Sequence, residues 1–322
     1  MPSCASSLRG EGQAVAESNA AVIPLAFADR EVDPKGLDAL LFQDVAAYFQ
    51  KASSGAFTLK GKVFAPLPLG MARDRFREAD LAAAAARFEA REGEGVLAGY
   101  DAAIFVAAGP IGARGGPLWP RQEDLRLGER KVRAVFLARD AGDRAVGIAA
   151  HEYFHVLGLK DKYDDPKADV GKWCILGTGY SERMPPPPCA DCRAKLGWTR
   201  FRDADPRAAA EVEVDVRLDR SVRIPLNAEG TEALLLEARD RLFVWHTGGG
   251  KAIELTARLE ASSRLTPFSE PAFRPRTAGA WSAWITDVRF RDGRCVFRLG
   301  PEAPLTADEA KRKADVGKRL GD

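Results

Sequence analysis

Residues 151–164 read HEYFHVLGLKDKYD, and their types and spacing could do chemistry. Residues four apart share one face of a helix, so His151 and His155 can aim imidazole nitrogens at one ion. Glu152 stands one position round from His151. It borders such a site without ligating it and is placed to take a proton from a water on the ion, whose pKa zinc lowers towards neutrality. The pattern is a zinc-hydrolase signature. Chance is a poor account of it, because the chain has three histidines and two of them fall at this spacing.

A catalytic zinc takes three protein ligands. Gly158 lets the chain turn sharply after the helix, since glycine takes the left-handed conformation that ends many helices. Asp161 then sits ten residues after His151, the place of the third ligand in zincins with the extended HExxHxxGxxH pattern. Asp164 and Asp165 are nearby rivals, with turn-making or calcium ligation as their other roles. The remaining histidine, His246, lies in LFVWHT, an alternating strand pattern where a structural role fits. Spacing and the glycine turn favour Asp161.

These side chains need a scaffold. The helix carrying them is predicted from about Asp143, which can cap its start, to Leu157. Upstream, AVIPLAF reads as a strand with Val22 to Phe27 buried, and GLDALLFQDVAAYFQKAS as a helix with Leu37, Leu40, Leu41, Val45 and Phe49 near a 3.6-residue repeat. GAFTLKGKVFA reads as a strand and residues 76–91 as an alanine-rich helix. YDAAIFVAAG suits a central strand buried on both faces, residues 109–120 a loop, and KVRAVFLAR a further strand. Past about residue 208 the chain becomes short alternating runs separated by turn residues, which indicates an antiparallel β unit. Near the end, Thr306 and Glu309 have capping-box spacing. The expected organisation is a tail over 1–20, a catalytic α+β domain over 21–205, a β-sandwich-like unit over 206–303 and a helical tail over 304–322.

The chain has 322 residues, 29% of them charged, and a net charge of +2. That balance draws neither nucleic acid nor an anionic membrane. No apolar run is long enough to span a bilayer. Residues 20–29 end in a small-x-small pattern, but the segment before them is long, carries Glu11 and Glu17 and lacks a basic region, so a buried strand is expected there rather than an export signal. Five cysteines are an odd number, so at least one is free or pairs between chains. Cys174, Cys189 and Cys192 flank a proline-rich loop. Three ligands fall short of a structural zinc site, and a disulfide from Cys174 to Cys189 or Cys192 is favoured over that metal as a staple, with free thiols as the remaining alternative.

At this point the chain resembles the immune inhibitor A-like metallopeptidases. Their HExxHxxGLxDxYD motif is matched by His151, Glu152, His155, Gly158, Leu159, Asp161, Tyr163 and Asp164. YFQKASSGAFTLKGKV, YDAAIFVAAG, KWCILGTGY, CRAKLGW and EALLLEARDRLFVWHT resemble further family segments in the right order, over roughly residues 20–300. The helix motif is highly specific, and the other segments persuade only together.

The resemblance implies a zincin-like catalytic domain and zinc-dependent endopeptidase activity on protein or peptide substrates. It implies His151, His155 and Asp161 as ligands and Glu152 as catalytic base. It also implies an extracellular or periplasmic bacterial protein, with structural calcium in addition to zinc. A monomer is expected. One departure stands out: the methionine expected under the metal is Leu176, a volume-conserving apolar swap that keeps a floor for the site. Tyr180 is a candidate oxyanion stabiliser and Tyr163 another, with packing as the alternative for both. The competing functional reading is a catalytically weak or inactive relative that binds protein or glycan partners through its β unit.

Overall fold

The computed structural model describes the chain except residues 1–15, 166–167, 268, 270–272, 274, 278, 304 and 321–322, and the side chains of 251 and 316–320. It is a mixed α/β protein with several sheets and few helices. The described residues form two compact units. One comprises the described residues of 16–161 and 172–188; the other comprises those of 162–171 and 189–320.

The first unit contains β1 (Glu17–Ala26), α1 (Ala46–Ala52) with a π-helical lead-in at Ala39–Val45, β2 (Thr58–Val63), β3 (Leu67–Pro68), α2 (Asp80–Glu92), β4 (Ala102–Pro110), β5 (Arg121–Leu127), β6 (Arg130–Asp140) and α3 (Ala145–Val156). The sheet runs β2-β1-β4-β6-β5, with β3 also on β1. All its pairings are parallel except β5 on β6. The central strands are buried on both faces, as their continuous apolar runs require. Ile23, Leu25, Phe105 and Phe136 pack with Leu81, Ala85 and Phe88 of α2 in one core. On α3, Tyr153 and Phe154 set their rings edge-on to Phe49 of α1. Residues from Gly147 to Phe154 are all buried, so α3 is a core helix rather than an amphipathic surface one.

The second unit contains β7 (Ala168–Asp169), α4 (Ala190–Lys195), β8 (Arg200–Asp203), β9 (Ala210–Asp215), β10 (Arg220–Pro225), β11 (Ala233–Ala238), β12 (Leu242–Gly248), β13 (Lys251–Leu259), β14 (Trp284–Arg291), β15 (Arg294–Gly300) and α5 (Ala307–Leu320). Its sheets are β7-β13-β12-β11-β10-β8 and β14-β15-β9. Val212, Phe297 and Ile285 of the smaller sheet share one apolar core with Ile224, Leu236 and Val244 of the larger. At the start of α5 the capping box closes: Thr306 N–H donates to Glu309 Oε2 at 2.8 Å and Glu309 N–H to Thr306 Oγ1 at 3.3 Å.

Four expectations change. Glu17–Ala20 belong to β1 rather than to a tail, because their backbone pairs with Thr58–Gly61 of β2; residues 1–15 lie outside the described part. The compact units divide at 161/162, 171/172 and 188/189 rather than at 205/206, because α4 and β8 pack with the later strands. β5 was not foreseen; its RQEDLRL sequence is a partly exposed edge with charge on both faces. Asp143 does not cap α3. It sits in a 3-10 turn at Gly142–Arg144 that feeds the helix directly, and pairs loosely with Arg183 at 3.8 Å.

Candidate metal centre

Helix α3 ends in a turn that brings the third carboxylate round. Gly158 has φ +90°, in the left-handed region. Leu159 N–H donates to Phe154 O and Gly158 N–H to His155 O, both at 3.0 Å, which is the double hydrogen bond of a Schellman stop. Three residues later Asp161 Oδ1 lies 3.1 Å from His151 Nε2 and 3.3 Å from His155 Nε2. The two Nε2 atoms are 3.3 Å apart.

Both imidazoles are oriented by main-chain carbonyls. His155 Nδ1 is 2.9 Å from Leu159 O, inside the Schellman turn, and His151 Nδ1 is 2.9 Å from Ile175 O. A carbonyl only accepts, so each Nδ1 carries the proton, and in the neutral ring Nε2 offers a lone pair. Two lone pairs and a carboxylate oxygen therefore converge. Asp161 Oδ1 is buried and accepts no hydrogen bond of good geometry. A shared proton or a shared cation satisfies such a trio. Ligands at about 2.0–2.1 Å on tetrahedral corners stand about 3.3 Å apart, the spacing these three atoms already have. The donor set of two imidazoles and a carboxylate suits a borderline divalent ion.

The electrostatics agree. Burial pushes the Asp161 carboxyl up, but the adjacent His151 and His155 imidazoles outweigh it and hold it below the usual carboxylate range. Burial lowers His155, yet the Asp161 carboxylate and the Leu159 carbonyl raise it above its ordinary value. Glu152 is 7% exposed, and burial raises its carboxyl above the ordinary range against the opposing pull of the two histidines. The backbone N–H of Gln122 on β5 faces it and offsets a small part of that rise.

Around Ile175, Gly177 N–H closes a turn on Cys174 O at 2.9 Å, and Leu176 at the turn is fully buried. The turn leads to Tyr180, whose ring centroid lies 4.6 Å from that of His151 at 48°. Tyr180 thus stands beside one of the converging imidazoles. Gly147 allows this approach: a Cβ there would meet Tyr180 O at 2.2 Å.

Of the rivals, Tyr163, Asp164 and Asp165 fall in the second unit. His246, also in the second unit, is 2% exposed, and its Nε2 lies 2.7 Å from Glu232 Oε1. Glu232 accepts backbone N–H groups from Arg276 and Thr277, so His246 belongs to a buried structural network. The expected staple is absent from this structure. Cys174, Cys189 and Cys192 are thiols, and Cys189 Sγ and Cys192 Sγ stand 3.5 Å apart, well beyond the bonded distance of about 2.05 Å.

Sequence reasoning missed Gln122, Gly147 and the Leu159 and Ile175 carbonyls. Only Gly147 left a signal: it lies four residues before His151, on the same helix face.

No protein-family model matches the chain, and no curated protein matches it. Among solved structures it is similar to metalloproteinase-II from Bacteroides fragilis, at 13% identity and a TM-score of 0.36, over 58% of this chain and 55% of that one. The match spans about half of that protein, and so remote a likeness leaves function to be argued from the site.

Proposed function

We propose that the chain is a zinc-dependent endopeptidase with a zincin-like catalytic unit, similar to the immune inhibitor A-like enzymes. The observation that carries this reading is the convergence of His151 Nε2, His155 Nε2 and Asp161 Oδ1 at 3.1–3.3 Å, with a buried carboxylate beside them. A zinc ion bound there supplies an electrophile for the scissile carbonyl and acidifies the attacking water.

The chain's own groups do the rest. Ile175 O and Leu159 O hold the two imidazoles in one tautomer and one orientation. Glu152 takes the proton of the attacking water and returns it to the leaving amine. Its burial makes it a stronger base than a solvated carboxylate. Strand β5 is the sheet edge next to Glu152, and an extended peptide adds to it as a further strand. Tyr180, against His151, donates its hydroxyl to the developing oxyanion. Export to the cell exterior or periplasm belongs to the same reading by family resemblance.

Bound zinc and casein hydrolysis test it in wild type, Glu152→Gln and Asp161→Ala. Glu152→Gln is expected to keep the metal and lose about 10²–10⁴-fold in rate. Asp161→Ala is expected to weaken metal binding. Unchanged hydrolysis in Glu152→Gln refutes the mechanism. A zinc-loaded wild type that cleaves no member of a peptide library favours the binding-module reading.

A further inference from the structure

We infer that Cys189 and Cys192 form a reversible dithiol–disulfide pair that fixes the first turn of α4. The two belong to one CADC turn and one unit, with Sγ atoms 3.5 Å apart and relative exposures of 0% and 1%. Cys-x-x-Cys spacing across the start of a helix lets a short ring close with little backbone movement, and the sulfurs need only approach by about 1.5 Å to reach bonding distance.

The oxidant is a small aliphatic disulfide. One cysteine thiolate attacks a sulfur of that reagent, whose S–S bond breaks and expels one small thiolate. The second cysteine, as its thiolate, attacks the protein sulfur of the mixed disulfide and expels the other. Two protein thiols lose two electrons and two protons, and the reagent becomes two thiols. Because both sulfurs are buried, exchange waits on opening of the α4 turn and is slow in the native state.

What the bridge controls lies between its ends. Asp191 is inside the ring that the disulfide closes. Its Oδ2 lies 2.9 Å from Lys195 Nζ and 3.5 Å from Nζ of the buried Lys162. Fixing Asp191 fixes Lys162, and Lys162 is the next residue after Asp161. The consequence for Asp161 as a ligand rests on the function proposed above; the bridge itself does not.

Native wild-type protein is incubated with hydroxyethyl disulfide, the remaining thiols are alkylated, and the peptides are mapped by mass. The expected product is a Cys189–Cys192 bridge, reversed by dithiothreitol. Oxidised protein is expected to show at least about threefold slower amide exchange over residues 160–165 than reduced protein, and Asp191→Asn is expected to remove that difference. A bridge to Cys174, Cys295 or Cys4 overturns the inference. So does full alkylation of both cysteines after an incubation that oxidises the unfolded chain, or their protection by a tightly bound soft metal that a chelator strips. Bridge mapping needs neither zinc nor hydrolysis, so its failure is separable from failure of the peptidase reading.

Discussion

Replacing Gly147 with alanine should loosen the metal centre without touching a ligand. The added methyl would lie 2.2 Å from Tyr180 O, 3.1 Å from Tyr180 C and 3.4 Å from Pro185 Cβ. Carbon and oxygen need about 3.2 Å or more, so α3 and the Tyr180 backbone must separate by about 1 Å. Overpacking of this kind costs about 1–3 kcal/mol. Removing a helical glycine returns about 0.5–1 kcal/mol, at the low end here because Gly147 lies in the first turn. The net expectation is a loss of about 0.5–2.5 kcal/mol in stability.

The functional effect should be larger than the stability effect. Tyr180 and Ile175 lie on one short segment, and Ile175 O sets the His151 tautomer from 2.9 Å. A 1 Å retreat takes that contact beyond hydrogen-bond range. Losing such an outer partner of a ligand histidine typically costs about 10–100-fold in metal affinity. Competition with a chromophoric chelator measures zinc affinity, and a urea titration measures stability. A Gly147→Ala protein that binds zinc as tightly as wild type and is more stable would refute the close-approach argument.

Three further outcomes follow from other parts of the molecule. Gly158→Ala forces a side chain to φ +90°, costing about 1–2 kcal/mol, and disturbs the Leu159 carbonyl that holds His155; chelator competition should show weaker zinc binding with secondary structure intact by circular dichroism. Glu237 is buried against Arg193, and although burial pushes its carboxyl up, the Arg193 and Arg239 charges outweigh this and hold it below the usual range. Its contribution is therefore complete above the unfolded carboxylate pKa and lost as pH falls through the lower folded value. Glu237→Gln leaves the Arg193 charge buried and should cost about 3–5 kcal/mol in urea titrations at pH 7; a loss under about 1 kcal/mol would discount the pair. Burial pushes the Cys295 thiol up to about 12, so native protein should resist iodoacetamide at Cys295 at pH 8, and rapid native labelling there would contradict its place in the core.

The parts of the site that were legible are those in which residue type carries the role. His151, Glu152 and His155 are recognisable because imidazole and carboxylate are scarce ways to hold and serve a cation, and helical spacing puts them together. Gly158 was legible because few residues tolerate φ +90°, and the turn it makes delivers Asp161. Thr306 and Glu309 were legible as a reciprocal cap for the same reason. What escaped acts through the main chain. The Gln122 N–H and the Ile175 and Leu159 carbonyls are groups that almost every residue owns, so no letter of the sequence marks them. The missed strand β5 belongs here too, since it supplies Gln122 from an edge whose side chains are charged on both faces.

This division separates the two histidines of the proposed metal centre. His155 is oriented by a carbonyl four residues away, within the Schellman turn that ends its own helix. His151 is oriented by a carbonyl 24 residues away, on a segment held against α3 only because Gly147 has no side chain. The first arrangement forms with the helix and its stop, and needs nothing more. The second requires the 174–180 turn to be docked on α3. Half of the histidine geometry is therefore local, and half depends on completed packing of the unit. Leu176 matters in that light as the apolar residue that seats the turn. An apolar residue of similar volume can seat it as methionine would, provided the carbonyl before it stays 2.9 Å from His151 Nδ1.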